Sequence, residues 1–307
     1  MKRKRPILKE AKYFIIFLFV KWLLFLSNLL PRKVLLNLCG ALGKMAFYLV
    51  KDSRKKTLAH ITLIFGHVKS SEEILLMAKR VFEMLGKNAA DILRSVSMND
   101  IIAFKKVVNV TGEEYLEKAF HSKKGVIVLT AHMGAFELVG TYLALMDYRP
   151  QIIGKIQKDP RLNRLLMDNR RKRNAEVIER GKDTLKVVRN LKSGGMVAML
   201  IDQDTKVKSV FVDFMGKPAS TPVGAALFAL RTGAKVVPIG IHLDDKLQQQ
   251  MTIYPEVPML RIGNEEVDLV NNTLAFSKAT ELLINQDPTQ WVWMHERWKT
   301  QKEKKLI

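Results

Sequence analysis

The first third of the chain distributes apolar and polar positions with the period of an α-helix. Residues 13–31 form an apolar run broken only by Lys21 and a Ser-Asn pair. Residues 33–50 continue as a second apolar helix, and residues 51–57 are predicted to be a charged turn. Residues 70–95 carry apolar side chains at helical spacing behind a serine cap and an acidic first turn. The pattern therefore predicts a helical N-terminal segment.

From residue 107 onward, short apolar strands alternate with amphipathic helices. Thr111 and Glu114 have the spacing of a capping box and predict a helix start at that point. Strands that alternate with helices indicate an α/β sheet covered on both faces. The predicted strands are 107–110, 125–131, 151–155, 176–178, 196–202, 209–214, 235–243 and 249–255, and the predicted helices are 111–120, 134–146, 159–174, 183–195, 221–232 and 266–285.

The apolar run at residues 13–31 has the length, ~20 residues, that a helix needs to span a bilayer. Basic residues flank both of its ends, and a charge such as Lys21 in the middle of a span costs about 2.5–3.5 kcal/mol. A helix that lies in the interface, with Lys21 reaching the headgroups, meets both constraints at lower cost. A true span and a buried helix of a soluble core are the alternatives. We predict a membrane-attachment module at residues 1–57 and an α/β domain at residues 58–307.

The charge balance narrows the class of partner. The net charge is +21, from 51 Lys and Arg against 30 Asp and Glu. Such a surface predicts a negatively charged partner, namely nucleic acid, an anionic membrane, a phosphorylated substrate or an acidic protein. The single cysteine, Cys39, excludes an internal disulfide framework and a cysteine-based metal cage.

A polar pair interrupts the apolar stretch at residues 126–140. His132 follows a predicted buried strand, and Glu137 lies five residues later at the start of a predicted helix. Ligands and catalytic groups of α/β sheets lie at the carboxyl ends of strands. A carboxylate folded back onto the imidazole would fix its tautomer, so that the other ring nitrogen acts as a general base. The alternative is a packed core histidine with Glu137 in solvent. The sequence contains no G-x-S-x-G, H-E-x-x-H or phosphate-binding loop motif.

The H-x4-E pair and its surroundings resemble a known family. The blocks around the pair are LTAHMGAFEL, NRRKRN, LKSGGMVAMLIDQD, VDFMGKPASTPVGAALFALRTGAKVVP and PTQWVWMHERWKT. After a strand, H-x4-[DE] is the signature of the glycerolipid and lysophospholipid acyltransferases, and these blocks resemble the lauroyl/myristoyl (late) acyltransferases of lipid A biosynthesis. The chain departs from that family at Met215, where the family often has phenylalanine.

The resemblance implies a mixed central sheet flanked by helices and a direct acyl transfer. His132 would deprotonate a hydroxyl of an acylated lipid A precursor, and Glu137 would orient His132. The hydroxyl would attack the thioester of an acyl carrier protein without an acyl-enzyme, on the cytoplasmic face of the bacterial inner membrane. Anionic lipids would be further partners, whereas no nucleic acid, metal or small cofactor is implied. Acyl transfer to lysophosphatidate or to an inositol mannoside, and a non-catalytic membrane-surface binding protein, are the alternatives.

Several other residues are candidates for substrate binding. The planar guanidinium groups of arginines suit the phosphates of a lipid A precursor, and a solvated basic helix face is the alternative for them. Backbone amides near Met133 and Gly134 are candidates for holding an oxyanion. Trp293 and Arg297 are predicted to be structural. Thr221 is either a helix cap or a ligand contact, and Asp202 and Gln203 either hold sugar hydroxyls or order a loop. The full set of substrate-binding candidates is Arg164, Arg170, Arg171, Arg173, Asp202, Gln203, Gly216 and Thr221.

Overall fold

The structure is a computed structural model that describes residues 7–154, 157–171, 174–179 and 183–300. Its N-terminal part is helical. The helices are α1 (Ile7–Leu29), α2 (Arg32–Leu49), α3 (Lys51–Phe65) and α4 (Ser71–Ser95).

Helices α2 and α4 pack antiparallel along their length because two glycines let their backbones approach. A Cβ atom on Gly43 would lie 2.1 Å from the carbonyl oxygen of Phe82, and one on Gly86 would lie 2.0 Å from that of Cys39. The predicted cap of α4 is confirmed, since Ser70 and Glu73 form a reciprocal capping box.

The predicted charged turn at residues 51–57 is wrong, because these residues open α3. The chain bends at Val50 (φ −96°, ψ 73°), and α2 and α3 meet at 91°. Lys56 pairs with Asp52 one turn earlier, and Ile61 and Ile64 are buried on the inner face of the helix. Charged residues at exposed positions are compatible with a helix whose opposite face packs.

The α/β part of the chain contains a mixed seven-stranded sheet, as predicted. The strands are β1 (Val108–Thr111), β2 (Val126–Thr130), β3 (Gln151–Gly154), β4 (Glu176–Glu179), β5 (Met196–Leu200), β6 (Ser209–Phe214), β7 (Lys217–Pro222), β8 (Lys235–Leu243) and β9 (Gln249–Ile253). The strand order of the sheet is β1-β9-β8-β2-β5-β3-β4, with β8 and β9 antiparallel and all other neighbours parallel. Strands β6 and β7 form a separate antiparallel hairpin.

Helices cover both faces of this sheet. They are α5 (Ile101–Lys105), α6 (Glu113–His121), α7 (Glu137–Leu145), α8 (Pro160–Arg171), α9 (Thr184–Lys192), α10 (Gly224–Thr232) and α11 (Glu265–Ile284), and a 3₁₀ turn covers Pro288–Gln290. Along β2, Val128 faces a core built with α6 and α7, whereas Ile127 and Leu129 face a core built with α9, α10 and α11. All five residues of β2 are buried, as expected for a central parallel strand.

Two predicted helix starts are corrected by strand pairing. Thr111 is the last residue of β1, so it forms no capping box, and Gly112 (φ 79°) occupies the cap position of α6. Thr221 belongs to β7, and α10 begins at Gly224 without a side-chain cap. In both places pairing with a neighbouring strand places in a strand the residue that local spacing had assigned to a helix start.

An ion pair and charged hydrogen bonds join α1 and α2 to α4. Arg32 at the start of α2 forms a two-pronged pair with buried Asp91 of α4, at 2.8 and 2.7 Å. Arg94 donates to the carbonyl oxygens of Ser27 and Leu30 at the end of α1. Most of α1 stays exposed, and its segment Glu10–Leu29 is long and apolar enough to cross a membrane (mean hydropathy 1.6).

Candidate active site

The loop after β2 is clamped by the backbone around it. Gly134 (φ 54°) sits against β8, where a Cβ atom would lie 2.1 Å from the carbonyl oxygen of Ile241. Its N–H donates to the carbonyl oxygen of Gln290, and Val292 N–H donates to that of His132. The end of the 3₁₀ turn and the residues after it thus hold His132 and Gly134 in place.

His132 contacts a buried carboxylate from the residues that follow the neighbouring strand β5. Its Nδ1 lies 2.8 Å from Oδ1 of Asp202, and its backbone N–H donates to Oδ2 of the same side chain at 2.8 Å. The indole N–H of Trp291 also donates to Oδ2, at 2.8 Å. Asp202 therefore orients the imidazole ring, and Trp291 orients Asp202.

Asp202 keeps its negative charge in this buried position. Burial alone would raise its pKa, but the adjacent His132 and the hydrogen bonds from His132 and Trp291 outweigh burial and lower the pKa to about 2. An ionised carboxylate at Nδ1 selects the tautomer with the proton on that nitrogen. Nε2 is then left as the proton acceptor of the ring.

The predicted contact between Glu137 and His132 is wrong. The carboxylate of Glu137 accepts from the guanidinium of Arg170 in α8, at 2.7 and 2.9 Å. Strands β2 and β5 are parallel neighbours, with Thr130 beside Leu200, so His132 and Asp202 leave the sheet side by side. Glu137 begins α7 and extends toward α8 instead.

A cavity of about 310 Å³ opens beside His132. Its polar wall contains His132, Glu137, Arg170 and Gln203, whereas Val139, Ile152, Leu166, Ala198 and Leu200 are among its apolar lining residues. The side chain of His132 is 19% exposed, so it is accessible from the cavity. The arrangement places a proton acceptor next to a space that admits both a polar group and a hydrocarbon chain.

A second cavity of about 170 Å³ lies on the other face of the sheet. It shares Ile153 and Leu200 with the first cavity and is mostly lined by apolar side chains of β5, α9 and α10. The two spaces are therefore neighbours at the carboxyl ends of β3 and β5.

The structure brings only part of the predicted substrate-binding set to the cavity. Arg170 and Gln203 line it, whereas Arg164 is exposed on α8. Asp202 is fully buried behind His132, where it orders the site and does not face a sugar hydroxyl. The side chain of Arg171 and all of Arg173 lie outside the described residues.

Two further predicted residues lie away from the cavity lining. Gly216 (φ 74°) is exposed in the turn between β6 and β7, beside Met215 (φ 52°). Thr221 is buried and accepts from the guanidinium of Arg297, which also donates to the carbonyl oxygen of Ser220. Thr221 is neither a cap nor a lining residue of this cavity.

The C-terminal segment supplies structural contacts. Arg297 is buried, and burial lowers its pKa to about 10. Trp293 is buried and donates its indole N–H to the carbonyl oxygen of Pro288. These contacts agree with structural roles for both residues.

The backbone amides proposed for an oxyanion already have acceptors. Met133 N–H donates to the carbonyl oxygen of Ala131 at 2.8 Å, and Gly134 N–H donates to that of Gln290 at 3.0 Å. These two amides hold the shape of the loop, and the oxyanion role of other amides near them stays a prediction. Arg170 is a positive group in the cavity wall, and its contact with Glu137 joins residues 33 positions apart, which no local spacing predicts.

Comparison with known proteins identifies the family. The family model for bacterial lipid A biosynthesis acyltransferases matches residues 1–300. The chain is similar to the lipid A biosynthesis lauroyltransferase of Escherichia coli (strain K12), with 26% identity over 284 residues that cover 89% of this chain and 88% of that protein. It is also similar to the lipid A biosynthesis myristoyltransferase of the same organism, with 23% identity over 281 residues, 89% of this chain and 84% of that protein.

A relative with a different named acceptor matches a shorter stretch. The phosphatidylinositol mannoside acyltransferase of Mycobacterium tuberculosis (strain CDC 1551 / Oshkosh) is 22% identical over 221 residues, 70% of this chain and 68% of that protein. The family predicted from the sequence blocks is confirmed by the match along nearly the whole chain. The chain belongs to the bacterial lipid A biosynthesis acyltransferases and is an O-acyltransferase.

Proposed function

We propose that this enzyme moves a fatty acyl chain from an acyl carrier protein thioester to a hydroxyl of an acylated lipid A precursor. The observation that carries the proposal is the buried anionic Asp202 at Nδ1 of His132, which leaves Nε2 for the cavity that His132 lines. The apolar part of the cavity suits an acyl chain, and its polar wall suits the reacting groups.

The transfer proceeds by general base catalysis. Nε2 of His132 takes the proton of the acceptor hydroxyl while the hydroxyl oxygen attacks the thioester carbonyl carbon. The tetrahedral intermediate then expels the carrier thiolate, which takes the proton from the imidazolium. Asp202 stabilises the imidazolium between these steps. One ester forms, one thioester breaks, and no acyl-enzyme is required.

Glu137 acts through Arg170 in this proposal. The pair is largely buried, with side-chain exposures of 23% for Glu137 and 11% for Arg170. Glu137 holds the guanidinium in the cavity wall, where its positive charge faces the negative charge that develops on the thioester oxygen. Gln203 lines the same cavity and is assigned to acceptor binding.

Helix α1 attaches the enzyme to the inner membrane, with the active site facing the cytoplasm. Large apolar side chains cover its exposed surface, including Phe14, Ile15, Leu18, Trp22 and Phe25. The net charge of +21 complements anionic headgroups, the phosphates of the acceptor and an acidic carrier protein. Residues 1–57 form the attachment module in this proposal.

A second candidate function is acyl transfer to another membrane lipid. The similarity to the phosphatidylinositol mannoside acyltransferase supports it, because a related chain carries a name with a different acceptor. The site chemistry would be unchanged, since any lipid hydroxyl can lose its proton to His132.

The deciding experiment uses the detergent-solubilised full chain, a tetraacylated lipid A precursor with its inner sugars, and a panel of acyl carrier thioesters. Mass spectrometry follows the acceptor, with His132→Ala as the matched control. We expect a gain of one acyl chain that requires His132. Transfer only to lysophosphatidate or an inositol mannoside would favour the second candidate. No transfer to any acceptor by a folded enzyme would favour a non-catalytic binding protein.

A further inference from the structure

An apolar groove of about 380 Å³ runs between α1 and the seam of α2 and α4. The residues that line the groove lie along one side of each helix. They run from Cys39 to Val50, at the end of α2, and from Phe82 to Leu93 on α4, with the same spacing on both. Phe19 and Leu23 of α1 form one wall. The groove has no lining residue in common with the cavity at His132.

Small residues create the groove. Gly43 and Gly86 bring the two helices so close that a Cβ atom on either would overlap a backbone oxygen of the other helix. Ala46 and Ala89 line the same groove, and Ala89 is exposed. The seam is therefore a groove with an apolar floor, and α1 forms one of its walls.

The dimensions of the groove match one hydrocarbon chain of a bilayer leaflet. At a rise of 1.5 Å per residue, the stretch from Phe82 to Leu93 is ~17 Å long. One leaflet of a bilayer has a hydrocarbon depth of ~15 Å, half of the ~30 Å core. Exposed Phe19 continues the apolar surface of α1 into the groove.

The groove ends beside the N-terminus of α3, a helix of 15 residues. Ser53 in its first turn lines the groove, and Lys51 and Lys55 are exposed next to it. No side chain caps this N-terminus, and the acidic residue in its first turn, Asp52, is paired with Lys56 at 3.1 Å. Free N–H groups and positive charge at a helix start favour a phosphate.

We propose that the groove binds one acyl chain of an anionic bilayer phospholipid, with the lipid phosphate at the N-terminus of α3. The apolar seam of α2 and α4 would bind the acyl chain, and the basic start of α3 would bind the headgroup of the same lipid molecule. This site rests on the proposed attachment of α1 to a membrane and does not depend on acyl transfer.

The test uses phosphatidylglycerol that carries a photoreactive diazirine in the middle of one chain. The full-length enzyme is irradiated with this lipid in a neutral detergent, and the labelled peptides are mapped by mass spectrometry. We expect label in residues 39–50 and 82–93. Unlabelled phosphatidylglycerol should compete about tenfold better than phosphatidylcholine with the same chains, because Lys51 and Lys55 each favour an anionic headgroup.

Two variants that replace an alanine with phenylalanine distinguish lipid binding in the groove from lipid binding elsewhere on the helices. Ala89→Phe places a ring in the groove and should reduce the labelling of residues 82–93 at least tenfold. Ala41→Phe, at an exposed position of α2 outside the groove lining, is the matched control and should label like the unchanged enzyme.

Three results would overturn the proposal. They are label confined to α1, labelling unaffected by Ala89→Phe in a folded protein, and stronger competition by the lipid A precursor than by phosphatidylglycerol. If Ala89→Phe does not fold, the proposal is tested by the competition of unlabelled lipids for labelling of the unchanged enzyme. Groove labelling without turnover would refute the proposed acyl transfer alone, whereas turnover without groove labelling would refute this lipid site alone.

Discussion

His132 and Asp202 each stand two residues beyond a paired position of β2 and β5. Because these strands are parallel neighbours, the two side chains leave the same edge of the sheet in contact. Seventy residues of chain separate them, so no local spacing links the two. Glu137 is nearer to His132 in sequence, yet it contacts Arg170.

The first prediction concerns the tautomer of His132. Asp202→Asn should lower kcat by about 10²–10⁴, because an amide that donates to Nδ1 would leave the proton on Nε2 and remove the base. Steady-state kinetics on the solubilised enzyme measure this. Asp204→Asn is the matched control, since that carboxylate accepts from the backbone of Thr300 and its replacement should leave kcat within a few-fold. A similar kcat for Asp202→Asn and the unchanged enzyme would remove Asp202 from the mechanism.

The lowered pKa of Asp202 predicts a pH dependence of stability. A carboxylate whose pKa falls on folding stabilises the folded state above its unfolded pKa, and the contribution disappears as pH falls through the folded pKa. The window runs from pH 3.8 down to about 2. The contribution is on the order of 2 kcal/mol above this window. Melting temperatures of the unchanged enzyme and Asp202→Asn should therefore converge between about pH 4 and pH 2. A gap that stays constant across this range would contradict the prediction.

The Glu137–Arg170 pair predicts non-additive losses of activity. Glu137→Gln and Arg170→Gln should each lower kcat/KM, and the double variant should lose little more than the worse single one. A coupling energy of about 1–3 kcal/mol is expected for contacting residues. Arg149 and Asp147 form an exposed pair away from the cavity, and the same cycle there should give a coupling near zero. Additive losses at residues 137 and 170 would show that Glu137 does not act through Arg170.

At the scale of elements, local patterns predicted α4 and its cap but failed where distant strands pair. Ser70 and Glu73 complete their capping box within four residues, so neighbours in sequence suffice. Thr111 has the same spacing to Glu114, but its strand pairs with β9 and places it in the sheet. Thr221 loses its predicted cap role in the same way, through pairing with Val210 in the β6–β7 hairpin.

Breaking the ion pair between Arg32 of α2 and Asp91 of α4 should cause a large loss of stability. Asp91 has a fully buried side chain, and it also accepts from Gln249. Asp91→Ala should destabilise the fold by about 3–5 kcal/mol, because Arg32 would lose its counter-charge in a mostly buried position. Thermal melting measures the change. Asp245→Ala removes the fully exposed partner of Arg80 and should cost less than about 0.5 kcal/mol. Equal effects would mean that the Arg32 pair does not join these helices.

At the scale of the whole molecule, the exposed apolar surface of α1 and the net charge of +21 both suit the proposed membrane partner. An anionic membrane would bury apolar surface of α1 and attract basic residues. Neither feature contributes to the packing of the sheet. Attachment should therefore be separable from folding.

Membrane attachment predicts that charge placed on α1 reduces co-flotation with anionic vesicles. Trp22→Asp should lower the bound fraction several-fold, because Trp22 is half exposed on the apolar surface of α1 and an aspartate costs about 2.5–3.5 kcal/mol in a membrane helix. Val267→Asp, an exposed position on α11, is the control and should float like the unchanged enzyme. Full activity in detergent with lost flotation is the expected combination. Unchanged flotation of Trp22→Asp would argue against attachment through α1.

The sequence by itself determined the local features of this protein. The α/β alternation, the cap of α4, the apolar run of α1 and the family blocks around His132 all depend on residues close together in the chain. Only the tertiary structure decided which groups meet at the site. Asp202 reaches His132 because β5 lies beside β2, and Arg170 reaches Glu137 because α8 lies beside the start of α7. The apolar groove beside α1 exists because Gly43 and Gly86 let α2 and α4 touch. Contacts between distant segments follow from strand order and helix packing, and these depend on the whole core.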